Sequence, residues 1–176
     1  LLDRDGVINF DSPDYITHVD DWRPFPDAID AITKLQRVAR VAVCTNQSAI
    51  GRGLCSESTL LEMHEKMNRL LLAAGGHAID VYYCPHVPED ECPCRKPSPG
   101  LLVNAMRASR SAPSGTLFVG DSTRDLQAAA SAGCVGVLVR TGNGEQTLTT
   151  KQGQACLSEG RVFASLAEFA TLALDV

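Results

Sequence analysis

Short apolar runs that each close on a polar residue alternate along this chain with segments of helical periodicity. That rhythm reads as βα units wound around a central parallel sheet, an α/β architecture. Strands are expected at Leu1 to Asp3, Val41 to Thr45, Ile79 to Cys84, Thr116 to Gly120 and Val135 to Arg140. Between them, residues 27–38 set Ala28, Ile29, Ile32 and Leu35 on one face, and residues 57–73 carry Leu60, Leu61, Met67, Leu70 and Leu71 at helical spacing. Further helices are expected at 99–110, at 123–132 before Gly133, and at 165–174 behind a Ser165-x-x-Glu168 capping box. Residues 6–26 obey neither period. Asp11-Ser12-Pro13-Asp14 and Arg23-Pro24-Phe25-Pro26 mark that stretch as a flap leaving the first strand. The 176 residues suit a single domain spanning 1–176, with no internal repeat and no low-complexity linker.

Charge narrows the partners. Twenty-one acidic against sixteen basic side chains give a net charge of -5, and Lys and Arg form no run. Nucleic acid is therefore not an expected partner. No apolar stretch is long enough to span a membrane, and the start lacks the regions of a signal peptide, so a soluble, cytoplasmic monomer is expected. Only two apolar residues precede Asp3, so part of the first strand is expected to lie before this numbering.

In open parallel sheets ligands bind beyond the carboxyl ends of the strands, where Asp3, Thr45, Cys84 and Asp121 fall. Asp3-Arg4-Asp5-Gly6 places two carboxylates at a strand end, with a glycine that lets the chain turn sharply. One carboxylate held at a metal can attack phosphorus, while the other protonates the leaving oxygen and then activates water. Crowding by like charge is expected to raise the pKa of that acid. Alone, Asp-x-Asp-Gly also occurs in turns and calcium loops. Three later features change its weight: Thr45-Asn46 offers a hydroxyl and amides to a phosphate, Lys96 follows Arg95, and Gly120-Asp121-Ser122-Thr123-Arg124-Asp125 closes another strand. Lys96 suits neutralisation of phosphoryl oxygens, and Asp121 supplies a second carboxylate for magnesium.

Cysteine usage adds a second metal. Cys44, Cys55, Cys134 and Cys156 lie apart and read as inert thiols, whereas Cys84-Pro85-His86 and Cys92-Pro93-Cys94 can surround a tetrahedral ion with three thiolates and an imidazole. Four protein ligands leave no place for water, so zinc at 84–94 is expected to be structural, fixing Arg95 and Lys96 directly behind it. Disulfide or free thiols are the alternatives. A nucleic-acid zinc module lacks the basic surroundings it needs. His18, His64, His77 and Trp22 are assigned to packing.

The set DRDGVIN, CTNQ, RKP and GDSTRD resembles the four motifs of the haloacid dehalogenase superfamily of phosphatases, from Asp3 to Asp125. The resemblance implies a Rossmann-like three-layer sandwich. It implies Asp3 as nucleophile, Asp5 as general acid/base whose carbonyl also binds magnesium, and Asp121 as the other magnesium ligand. Thr45 and Lys96 would stabilise the phosphoryl group, and Asp125 would support the metal. The intervals between motifs are filled, so no cap domain fits and an open site is expected. The cysteine loop narrows the resemblance to capless members acting on heptose bisphosphates or histidinol phosphate. Thr45-Asn46-Gln47-Ser48 running to Gly51-Arg52-Gly53, Tyr83-Cys84-Pro85-His86, Arg95-Lys96-Pro97-Ser98-Pro99-Gly100 and Arg140-Thr141-Gly142 look more like the heptose branch. Removal of the 7-phosphate, in lipopolysaccharide core or nucleotide-activated heptose biosynthesis, is the implied reaction. Asp11, Ser12, Pro13, Asp14, Asn46, Gln47, Ser48, Arg95 and Ser122 are implied to touch the sugar phosphate. Ala49 replaces the Gly usual after TNQS, and Ser122 stands where some relatives carry Lys. Arg52 is the residue expected to compensate, by reaching the distal phosphate. A phospho-accepting receiver-like domain is the non-enzymatic alternative, and Asp5, an acid useful only for turnover, argues against it.

Overall fold

The structure, a computed structural model, describes residues 1–157 and 161–174. Its strands are β1 (Ala42–Asn46), β2 (Asp80–Cys84), β3 (Leu117–Gly120), β4 (Val135–Val139) and β5 (Val162–Phe163). The helices are α1 (Ala28–Leu35), α2 (Ser48–Gly51), α3 (Glu57–Ala73), α4 (Gly100–Ser109), α5 (Thr123–Ala132), α6 (Gly144–Thr149), α7 (Lys151–Cys156) and α8 (Leu166–Leu174). β1 pairs in parallel with β2, and β3 with β4 and β4 with β5 in the same sense.

Residues 1–3 join the two halves. The Leu2 N–H donates to the Ala42 carbonyl at 2.9 Å and the Leu2 carbonyl accepts from Cys44 at 2.8 Å; on the other side Asp3 donates to Val119 at 2.8 Å and Val119 to Leu1 at 2.9 Å. Leu2 bridges Val43 and Val119 in parallel, so the order across the sheet is β2, β1, residues 1–3, β3, β4, β5. Asp3 thus leaves the sheet at its middle.

Strand alternation sends neighbours to opposite faces. Val43, Val119 and Val137 pack with α1, α3 and α8, while Cys44 and Phe118 pack with α4 and α5. Helices cover both faces, as the expected three-layer arrangement requires. In α3 the buried stripe is Leu60, Met63, Met67 and Leu71, joined by His64. Leu61 and Leu70, expected on that face, are exposed instead. The line i, i+3, i+7, i+11 follows the 3.6-residue period, and those two leucines sit off it. Ser56 caps this helix, its Oγ accepting the Thr59 N–H at 3.0 Å. At α8 the Glu168 N–H donates to Ser165 Oγ at 3.3 Å, and the Glu168 carboxylate takes the Ala164 N–H, one residue earlier than a standard capping box. The short elements α2, α6, α7 and β5 were not expected, because so few residues display no period.

The flap is tied down at its start. The Arg4 carbonyl accepts N–H groups from Val7, Ile8 and Asn9, and Asn9 bridges Pro24. Ile8, Ile16 and Trp22 are buried in the core, with Lys66 Nζ 5.8 Å over the Trp22 ring. Gly6 (φ +82°) and Gly142 (φ +58°) meet back to back beneath Asp121; a Cβ on either would overlap Asp121 Oδ2. Thr141 Oγ1 donates to the Gly6 carbonyl at 2.7 Å and fastens the two turns together. Gly142→Ala is expected to destabilise the protein by about 1–3 kcal/mol, read as a lower urea midpoint at unchanged slope, because a left-handed residue and a carboxylate would have to move together.

Candidate active site

Beyond the carboxyl ends of residues 1–3, β1 and β3 lies a polar cleft of about 350 Å³. A larger cavity of about 880 Å³ lies elsewhere, and no motif residue lines it. The base of the polar cleft holds a buried cation. Lys96 Nζ stands 2.8 Å from Asp3 Oδ1 and 2.7 Å from Asp125 Oδ1, with Lys96 only 2% exposed. Its backbone is clipped by Asn46: the Lys96 N–H donates to Asn46 Oδ1 at 3.0 Å and Asn46 Nδ2 donates to the Lys96 carbonyl at 3.1 Å.

The carboxylates are differently engaged. Asp3 Oδ1 pairs with the Lys96 ammonium and accepts the Arg4 N–H at 2.7 Å, and Asp3 Oδ2 has no protein donor among the described residues. Asp121 Oδ2 accepts from the Asn143 N–H at 2.7 Å and Nδ2 at 3.0 Å, leaving Oδ1 without a donor among the described residues. Both oxygens of Asp125 are taken, one by Lys96 and the other by the Ser122 N–H at 3.0 Å and Oγ at 2.6 Å. Asp125 is thereby built to hold Lys96.

Oxygens of Asp3, Asp121 and Asp125 lie within 4.8 Å of one another. Three carboxylates against one ammonium leave two surplus charges in a buried space, which suits a divalent cation. Burial pushes Asp3 up to about 8, with Asp125 and Asp121 adding to the rise and Lys96 opposing it. Burial and then the Asp125 charge push Asp121 up to about 7. Burial alone would lower the Lys96 ammonium, yet Asp125 and Asp3 outweigh it and hold the pKa above its ordinary value.

Asp5 reverses an expectation. Burial, the largest single influence, would raise its pKa, but the Arg4 charge together with hydrogen bonds from Arg4, Asn9 and Gln47 outweighs it, and the carboxyl lies below its ordinary range. Crowding by like charge loses because the nearest charge is the neighbouring guanidinium, 3.0 Å away. Gln47 Nε2 donates both to Asp5 Oδ2 at 2.8 Å and to Thr45 Oγ1 at 2.9 Å. With its oxygen accepting from Gln47, the buried Thr45 hydroxyl keeps its own proton for a ligand.

Of the other residues expected at the site, Asp11, Ser12, Pro13, Asn46, Gln47, Ser48, Arg52, Arg95 and Ser122 line the cleft. Asp14 does not, because its N–H closes a turn on Ser12 Oγ at 3.2 Å and the side chain points to solvent. The Ser122 hydroxyl is spent on Asp125. Tyr15, Arg124 and Asn143 also form the wall, and sequence reasoning missed them. Tyr15 turns in through a positive φ of 64°, which nothing in its residue type announces; Asn143 follows the Arg140-Thr141-Gly142 run and could have been taken with it.

The cysteine loop also assembles. Cys84, Cys92 and Cys94 Sγ atoms lie 3.2–3.6 Å apart, and His86 Nδ1 is 3.3 Å from Cys94 and 3.6 Å from Cys84. A disulfide needs about 2.05 Å. Sulfurs 2.3 Å from a tetrahedral centre stand about 3.8 Å apart, much nearer to what is seen. Arg95 Nη1 donates to the His86 carbonyl at 3.0 Å and so ties its guanidinium back to the loop.

A parallel sheet carrying a carboxylate, a threonine, a lysine and a cation-demanding acidic cluster beyond its strands defines a metal-dependent phosphohydrolase. The HAD-hydrolase-like family model matches residues 93–169. Relatives named D-glycero-beta-D-manno-heptose-1,7-bisphosphate 7-phosphatase include one from Pseudomonas aeruginosa, 48% identical over 84% of this chain and 84% of that protein. Another, from Bordetella bronchiseptica, is 45% identical over 97% of this chain and 94% of that one. A crystal structure of D,D-heptose 1,7-bisphosphate phosphatase from B. bronchiseptica, complexed with magnesium and phosphate, superposes with a TM-score of 0.91 at 45% identity, covering 99% of this chain and 96% of that one. The chain belongs to the haloacid dehalogenase-like hydrolases, in the branch that contains these heptose bisphosphate phosphatases.

Burial and mutual repulsion raise the pKa values of Asp3 and Asp121, so cation binding here competes with protons. Groups with raised pKa values bind a cation worse as pH falls through those values, so magnesium affinity is expected to be at least about tenfold weaker at pH 6 than at pH 8.5. Calorimetric titration in buffers of different ionisation enthalpy should show proton release at pH 7. An affinity flat across this range contradicts the reading.

Proposed function

We propose that this protein removes the 7-phosphate of D-glycero-beta-D-manno-heptose 1,7-bisphosphate, leaving the 1-phosphate. The observation that carries the reading is Lys96 held between Asp3 and Asp125 at the base of a cleft flanked by Thr45, in a chain whose relatives bear that activity in their names. Asp3 Oδ2, the oxygen without a protein donor among the described residues, attacks phosphorus. As that bond forms, the bond from phosphorus to the sugar oxygen breaks, and the leaving oxygen takes a proton from Asp5, which Arg4 holds ionised in the free protein and which takes that proton up from solvent as the bisphosphate enters. In the second half, water attacks the aspartyl-phosphate, its proton passes to the Asp5 carboxylate, and the bond to Asp3 breaks.

Lys96 and the free Thr45 proton stabilise the phosphoryl oxygens throughout. Magnesium would be held by the Asp3 and Asp121 carboxylates and the Asp5 carbonyl, and would supply the remaining positive charge against phosphate. Arg52, 6.0 Å over the Tyr15 ring at the rim of the cleft, reaches the distal phosphate, with Arg95 and Arg124 beside it. Asp11, Ser12 and Pro13 on the flap, and Asn46, Gln47 and Ser48 after β1, line the path of the sugar.

A phosphate-release panel with both anomers of the bisphosphate and histidinol phosphate tests the substrate. The expected result is multiple turnovers with magnesium, the highest kcat/KM on the beta anomer, and loss of turnover in Asp3→Asn. Histidinol phosphate as the preferred substrate, or a single long-lived phosphorylated species in place of turnover, would overturn the reading.

Zinc at Cys84, His86, Cys92 and Cys94 is the second part of the proposal. Burial, with Cys94 adding to it, pushes the Cys84 thiol up to about 12, so the cluster needs a cation before all three thiols ionise. Metal analysis is expected to find one zinc per chain. Stripping it with a strong chelator should lower Tm by about 5 °C or more and reduce kcat/KM in a way that added magnesium does not repair. Full activity and unchanged Tm in zinc-free protein would remove the site from the account.

A further inference from the structure

Arg4 sits between the two acids of the first motif and is 1% exposed. Its backbone serves one acid and its side chain the other. The N–H donates to Asp3 Oδ1 at 2.7 Å, while Nε donates to Asp5 Oδ1 at 3.0 Å and Nη2 to Asp5 Oδ2 at 3.1 Å. Consecutive side chains on an extended strand point to opposite faces. Here the turn beyond Asp5, where the Gly6 N–H donates to the Asn9 carbonyl at 2.8 Å, brings the pair side by side.

The guanidinium is itself anchored. Nη1 lies 3.3 Å from His64 Nε2 on α3, and Nη2 donates to Gln47 Oε1 at 3.0 Å. A guanidinium has only hydrogens to offer, so His64 Nε2 accepts and the ring proton sits on Nδ1. By holding Gln47 Oε1, Arg4 also turns the amide so that Nε2 faces Asp5 and Thr45.

Asp5 Oδ1 accepts from Arg4 and from Asn9 Nδ2 at 2.9 Å, and Oδ2 from Arg4 and Gln47. All four lone-pair directions are filled. A leaving oxygen can reach the carboxyl only by displacing one donor. Asn9 and Gln47 give one bond each, and Arg4 spans both oxygens, so Arg4 sets where the carboxyl stays when a single-bond donor yields. We infer that Arg4 is a positioning residue for Asp5, and that His64, outside the cleft, is the anchor that keeps Arg4 in place. The inference rests on the reading of Asp5 as the acid and base.

Leaving-group dependence separates positioning from general damage. Protonation matters for an alkyl leaving group such as a sugar oxygen and little for p-nitrophenolate, and kcat/KM reports steps up to departure of that group. Asp5→Asn is the reference, expected to lower kcat/KM for the sugar phosphate by about 100-fold or more and for p-nitrophenyl phosphate by less than about tenfold. Arg4→Met and His64→Leu should show the same split, about tenfold on the sugar phosphate against about twofold on the aryl ester for His64→Leu. His64→Gln, whose amide oxygen can accept from Nη1, should restore most of the loss. If Arg4→Met does not fold, His64→Leu and its rescue decide. A crystal structure of His64→Leu should show the Asp5 carboxylate displaced. Equal losses on both substrates, no loss in His64→Leu, or an Asp5 carboxylate in its original place there would overturn the inference. Absence of the split in Asp5→Asn itself would instead sink the acid reading on which it rests.

Discussion

The ammonium of Lys96, buried between the carboxylates of Asp3 and Asp125, is the interaction on which the rest of the site depends. Removing one partner of a buried ion pair costs about 3–5 kcal/mol in general, because the other charge is left uncompensated. Here three acids would be left. Much of the surrounding structure serves to keep that cation in place. Asn46 grips its backbone on one side, the cysteine loop anchors Arg95 beside it, and Ser122 holds the far oxygen of Asp125 so that the near one faces Lys96.

Environment then divides the labour among carboxylates of identical chemistry. Asp3 and Asp121 each keep one oxygen without a protein donor among the described residues, and burial raises both, so they suit an incoming cation and phosphorus. Asp125 has no oxygen to spare. Asp5 faces an arginine in place of the acidic cluster and is held below its ordinary range. This is pKa tuning by position: titratable groups close in space are pushed apart by what each one touches.

How far the site was legible can be argued residue by residue. Asp3, Thr45 and Asp121 were readable because each follows a short apolar run, and strand ends in a parallel sheet converge on one edge; Lys96 stands in a loop and was picked out by the Arg95-Lys96-Pro97 motif alone. Cys84, His86, Cys92 and Cys94 were readable as one cluster because the spacing that brings them together is a local property. Arg4 and His64 were not, since 60 residues separate them and only packing of α3 against the sheet brings them to 3.3 Å. Asp14 was misplaced for the complementary reason: composition marks a loop as polar but does not say which of its side chains turns inward. The α3 stripe was misread by one position at Leu61 and Leu70, where several leucines in a row blur the period.

The amino-acid sequence by itself determined the α/β layering and the order of the motifs, and it singled out the side chains of both candidate ligand clusters, because periodicity, turn residues and spacing act over a few residues. Tertiary structure decided which oxygen of each acid is free, which arginine faces which acid, and the direction of the Asp5 shift. Those outcomes depend on burial and on charges contributed by distant segments, and at separations near 3 Å such contacts outweigh anything that local spacing can express.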